Sequence, residues 1–207
     1  TSGASILAWA TGRGSILSAT PTVLVVMPIA DILRHREAMV EYALAGHERN
    51  IDKRVYHSNG LTLGLFDRVE LGLANDFEGT TTWDAKVLLY ERPNDGKIAV
   101  SAGFTNLDKG RADKYLVARH DFASFRLHGG WYQNDRNRLM VGIDAPIGQD
   151  LTLMADFVSG PGSTAWVALS GEVGTITGLV WTVAGGTPMM KSDGYQYSVG
   201  LSYTARF

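Results

Sequence analysis

Ten polar side chains recur inside otherwise apolar runs: Glu41, Glu70, Asp84, Lys86, Arg126, His128, Asp144, Asp156, Glu172 and Arg206. Each falls in the polar register of a stretch that alternates apolar and polar residues, so each belongs to one face of a strand candidate. Charges of both signs on one face support two chemistries. They can satisfy one another in an internal network of ion pairs and hydrogen bonds. They can also line an aqueous passage. Acids and bases share strands, as at Asp84/Lys86 and Arg138/Asp144, which suits the network. The slight excess of acids on this face would give an open passage a weak cation preference.

Catalytic arrangements find less support. The histidines are His35, His47, His57, His120 and His128, and the first three fall in loops or at strand ends. No Ser–His spacing nominates a nucleophile and its base. Glu48 beside His47, or Asp108 with Asp113, would be the only material for acid–base or hydrolytic work. His47 and Glu48 are adjacent and point apart in a strand, so they make a poor metal site. Gly160-Pro-Gly162 and Gly185-Gly186 read as turn chemistry, without the strand–loop–helix setting of a phosphate loop. The chain is therefore read as non-enzymatic, with no cofactor and no metal.

The elements that must carry these residues are strands. From residue 38 onward twelve candidates of about 9 to 14 residues follow one another, near 38–47, 53–66, 68–77, 81–92, 96–106, 113–121, 124–133, 137–147, 150–159, 163–172, 175–185 and 195–207. Leu61, Leu63 and Leu65 share a face, Phe66-Asp67-Arg68 turns, and Val69, Leu71 and Leu73 share the next. Trp83, Ala85, Val87 and Leu89 oppose Asp84, Lys86, Tyr90 and Arg92. The sixth and eleventh candidates show no clear face, which leaves Arg119 and His120 unassigned. Connections alternate between a tight set and a set containing the longest, as in an up-and-down barrel.

Bulk properties agree. The chain has 207 residues, a net charge of -2, 24 glycines and no cysteine, with 45% hydrophobic residues. That is one domain. Near-neutral charge offers no basic face to nucleic acid. Lack of cysteine excludes disulfide scaffolds, cysteine-ligated zinc and a lipoprotein anchor. No apolar run approaches the roughly 18 residues of a membrane helix. A membrane barrel hides its apolar surface by alternation, so a mean hydropathy of -0.03 is compatible with one. A start on Thr1 without a leader pattern suits a mature form.

Periodicity alone does not separate a membrane barrel from a soluble β-protein. Two features favour the membrane. Aromatics near strand ends on the apolar face (Tyr42, Trp83, Tyr115, Trp131, Phe157, Trp181, Tyr197, Tyr203 and Phe207) suit a membrane–water interface. The last strand, Tyr197 to Phe207, alternates throughout, with Gly200 at its middle, Tyr203 four residues before the end and Phe207 closing it. It resembles the signal by which bacterial outer-membrane β-barrel proteins are recognised for insertion. This implies that Gly200, Tyr203 and Phe207 address the insertion machinery. The stretch Asn59 to Leu73, NGLTLGLFDRVELGL, resembles a hairpin recurring in small bacterial outer-membrane barrels. YjbH-like proteins, associated with exopolysaccharide export, are among those that carry it.

Residues 1–37 read as an N-terminal arm and 38–207 as the barrel. Ser2 to Ala19 is rich in small residues and could hold a strand around Ser5 to Thr11. Pro21 and Pro28 interrupt the apolar run after it, which suits an edge or extended arm. Asp31 to Glu37 could make one helical turn. The arm could fold inside the barrel or dock on an envelope protein. The expectation is thus an all-β, up-and-down antiparallel transmembrane barrel of about twelve strands in a lipid bilayer, at the bacterial outer membrane. Its function is either a porin-like passive channel for ions or small solutes, or a non-conducting barrel that anchors a larger envelope assembly. A soluble β-protein is the third reading.

Overall fold

A computed structural model describes residues 10–11, 20–21, 24–47, 55–77, 80–93, 96–107, 112–148, 150–160, 162–174, 176–189 and 194–207. The strand expected around Ser5 to Thr11 lies mostly outside them. Only β1 (Ala10–Thr11), paired with β2 (Thr20–Pro21), is described there.

Twelve further strands close into an antiparallel barrel: β3 (Glu37–His47), β4 (Tyr56–Leu65), β5 (Val69–Asn75), β6 (Thr81–Glu91), β7 (Ile98–Thr105), β8 (Asp113–Asp121), β9 (Arg126–Gln133), β10 (Asn137–Pro146), β11 (Leu151–Val158), β12 (Thr164–Glu172), β13 (Leu179–Pro188) and β14 (Gln196–Arg206). Each pairs with its sequence neighbours. β14 returns to β3, in register from Gln196↔His47 to Arg206↔Glu37. Closure leaves no edge with unpaired backbone groups. Among the described residues there is no helix.

Alternation sorts the side chains. Val40, Leu61, Leu71, Trp83, Leu116, Leu127, Leu139, Val141, Leu153, Val167, Val183, Val199 and Leu201 are large, apolar and exposed on the outside. The polar register turns inward. The β4–β5 turn shows how one join is fixed. Arg68 N–H donates to Leu65 O at 3.1 Å, and Phe66 and Asp67 both have positive φ, 55° and 58°. Two left-handed central residues match the twist of a hairpin but are costly without glycine. The chain entering β3 offsets that cost. His35 N–H donates to Asp67 Oδ1 at 2.9 Å, and the His35 ring stacks on Phe66.

Four expectations need correction. Alternation puts Tyr90 in the inward register, but a bulge between Leu88 and Tyr90 resets β6, so Leu88 and Glu91 fall on the inner side while Leu89 and Tyr90 are exposed. An extra residue on one strand shifts the alternation beyond it. Tyr115, expected among the outer aromatics, is buried inside, because Tyr115, Val117 and Arg119 form the inner face of β8 and Leu116, Ala118 and His120 the outer. The eleventh candidate, drawn at 175–185, is β13 at Leu179–Pro188, with Val180, Thr182 and Ala184 inward. Residues 31–34 form no helical turn. They run as irregular chain, with Leu33 N–H taken by the Glu70 carboxylate.

Candidate functional site: the lumen and the segment inside it

Residues 24–33 run inside the barrel, and 34–36 leave it beside the first strand. Leu24, Val25, Met27, Ile29, Ala30 and Leu33 are fully buried. Met27, Ala30 and Ile32 pack against Leu88, Ala99, Tyr115, Val117 and Met140 from β6–β10. Leu24, Val25 and Ile29 pack against Met154, Trp166, Ala168 and Ala184 from β11–β13. Burying each large side chain is worth about 1.5–3 kcal/mol against exposure, so this packing holds the segment firmly. The wall is shaped to receive it. A Cβ at Gly142 would run into Leu24, and one at Gly64 into the backbone of Leu33 and Arg34.

Polar groups add direction. Asp156 Oδ2 accepts from the N–H groups of Val25, Val26 and Met27 at 2.8, 2.8 and 2.9 Å. Ser101 Oγ donates to Ala30 O at 2.6 Å, and Glu70 Oε2 accepts from Leu33 N–H at 2.9 Å. Asp31 is bridged by Arg119 and, at 3.4 Å, by Arg126. At the exit, Arg34 pairs with Glu91 at 3.3 Å. Arg34 N–H also donates to the Glu37 carboxylate at 2.7 Å, while Glu37 N–H donates to Arg34 O at 3.0 Å. Arg36, with φ of 65°, turns the chain into β3.

The wall has its own charge network beneath these ties. Asp144 accepts from Arg126 Nε and contacts His128 Nε2, both at 2.7 Å. Lys86 pairs with Glu70 at 3.2 Å, and Arg119 Nε with Asp121 at 2.7 Å. Higher in the barrel, Asp113 accepts from Tyr132 Oη at 2.6 Å and from Asn106 Nδ2 at 2.9 Å. Among the described residues, no group of three or more His, Asp or Glu side chains is placed to hold a metal ion.

Of the ten polar residues singled out from the sequence, Glu70, Lys86, Arg126, His128, Asp144 and Asp156 are buried. Arg126, His128 and Asp144 come together, as do Glu70 and Lys86, while Asp156 meets the segment. Glu41, Asp84 and Glu172 are partly exposed in the inward register. Arg206 is exposed at the barrel rim, in register with Glu37. Gly200 is buried on the inner side of β14, Tyr203 is exposed, and Phe207 lies past the strand, 72% exposed.

Sequence reasoning missed Asp31, Ser101 and the Arg119–Asp121 pair. Arg119 and Asp121 stand two apart in one strand, a spacing that puts both on one face and could have settled β8. Asp31 had the weaker signal of one acid ending an apolar run. The inner Val117, Met140, Met154 and Trp166 were unforeseen as a group, because alternation assigns bulky apolar residues to the outside of a membrane barrel.

No family model matches the sequence, and no curated protein does. Among solved structures, the KdgM porin matches with a TM-score of 0.59 at 15% identity, over 80% of this chain and 98% of that one. The same values hold for the KdgM porin in complex with disordered oligogalacturonate. A triple mutant of the Rhodopseudomonas blastica porin matches with a TM-score of 0.45 at 15% identity, over 75% of this chain and 57% of that one. The KdgM likeness is one of fold.

Proposed function

We propose that this chain is an outer-membrane β-barrel of the porin type, a passive route for ions or small solutes, with residues 24–33 closing the lumen at rest. One observation carries the reading. A closed twelve-stranded wall presents large apolar side chains outward and keeps Glu70, Lys86, Arg126, His128, Asp144 and Asp156 inward. A soluble barrel has the reverse arrangement, and a bilayer is the solvent that such an exterior fits. The fold it shares with the KdgM porin supports the same reading. In this proposal the protein is not an enzyme and uses no cofactor.

The finer assignments rest on sequence. Recognition by the insertion machinery rests on Gly200, Tyr203 and Phe207, and the YjbH-like resemblance on the hairpin at 59–73 alone. The division into an arm at 1–37 and a barrel at 38–207 fits a first barrel strand beginning at Glu37. An envelope partner reached through the arm would have to engage residues other than the buried ones of 24–33.

The second reading, a non-conducting structural barrel, is favoured by the bulky apolar inner wall at Val117, Met140, Met154 and Trp166, which water would hydrate poorly. Single-channel recording in planar bilayers separates the two, comparing the full chain with residues 37–207. The channel reading expects rare openings from the full chain and frequent ones from the shortened form. Silence from both, each shown folded by heat-sensitive gel mobility, leaves the structural barrel.

A further inference from the structure

The inner wall treats its charged groups in two ways. Lys86 has Glu70, Arg119 has Asp121 and Arg126 has Asp144, so three cations are paired within the wall whether or not the segment is present. Asp156 differs. Among the described residues it forms no ion pair, although it is buried. Its Oδ2 is held instead by three successive backbone N–H groups, those of Val25, Val26 and Met27. Successive N–H groups converging on one anion form a nest, an arrangement that favours negative charge. Gly142, the cross-strand partner of Asp156, leaves the space that Leu24 fills. A missing side chain and an unpaired carboxylate thus lie side by side at mid-strand, both fitted to residues 24–27 of the segment.

We infer that Asp156 serves the barrel in both of its states. With the lumen closed it is the latch that holds residues 25–27 of the segment. With the segment withdrawn it is a carboxylate without a cationic partner, facing water in mid-lumen, and it sets a preference for small cations over anions. The inference rests on the porin-type reading. Withdrawal takes three N–H donors from Asp156, Arg34 from Glu91 and Asp31 from Arg119 and Arg126, and leaves the pairs within the wall intact. A hydrated cation then finds a negative charge that no neighbouring arginine or lysine neutralises, and an anion is repelled there.

The test uses the full chain in planar bilayers under a potassium chloride gradient, read as opening frequency and reversal potential. Asp156→Asn and Asp31→Asn are compared with the unaltered protein. Asp31 belongs to the segment, so its replacement loosens the closure while leaving Asp156 charged. Both variants are expected to open more often, by about tenfold or more, given the strength of hydrogen bonds to charged groups. Asp31→Asn keeps the cation-selective reversal potential, whereas Asp156→Asn moves it toward zero. Equal reversal potentials in the two variants overturn the selectivity role. Frequent opening in Asp31→Asn alone overturns the latch. Silence from all three proteins and from the double variant, with the barrel folded by heat-sensitive gel mobility, defeats the porin-type reading and the inference with it.

Discussion

At the scale of single residues, Arg126 ties two carboxylates together. Its Nε donates to Asp144 and its Nη1 lies against Asp31, so it joins wall and segment in one network. Arg126→Ala leaves both carboxylates short of a cation in a buried setting, where breaking one side of an ion pair costs about 3–5 kcal/mol. Urea titration of the folded form in lipid should show a loss of that order. The conservative Arg126→Lys recovers part of it, because an ammonium keeps the charge but not the fork that reaches two carboxylates. Part of this site was legible in the sequence. Arg126, His128 and Asp144 stand in alternating register on adjacent strand candidates, so their meeting follows from strand order alone. Asp31 was not legible, since it reaches Arg119 and Arg126 from far along the chain and alternation is blind to that.

At the scale of elements, period-two reading succeeds while a strand stays regular and fails at the first extra residue. β5 holds its alternation from Val69 to Asn75, with Glu70 buried and Leu71 exposed. β6 holds it only to Leu88, where the bulge begins. This gives a test of the bulge itself. Deleting Leu89 leaves Leu88 and Glu91 inward and Tyr90 outward, so the barrel should still form, as heat-sensitive gel mobility will report. Deleting Leu71 from regular β5 moves every later residue of that strand to the opposite face and should abolish the folded form. Strand β8 was obscure for another reason. Its inner face carries Tyr115 and Val117, which pack on the segment, so both faces of the strand look apolar.

For the whole molecule, strand count and order were legible because each strand pairs with its sequence neighbour, leaving no crossover to deduce. Whether the arm lay inside or outside was not legible, because its apolar content suits either place. The outward and inward tryptophans now separate the bilayer from its alternatives. Trp83 and Trp131 are exposed on the outer surface, whereas Trp166 is 3% exposed and faces the segment. In vesicles containing brominated acyl chains, variants retaining Trp83 or Trp131 alone should lose most of their fluorescence. One retaining Trp166 alone should lose little. Equal quenching of all three would contradict the arrangement of faces.

The turn at Arg36 has a mechanical consequence. It joins the inner segment to β3 at Glu37, where the strand is already paired with β14, and Phe207 N–H donates to Arg36 O at 2.9 Å. A movement of residues 24–33 about that turn changes no strand register, strand number or tilt, and so leaves the cross-section of the wall unchanged. Lateral pressure performs work only against a change in area. In the opening proposed above, an occupied and an emptied lumen present the same area, so membrane tension has no differential hold on the two states and cannot shift their balance.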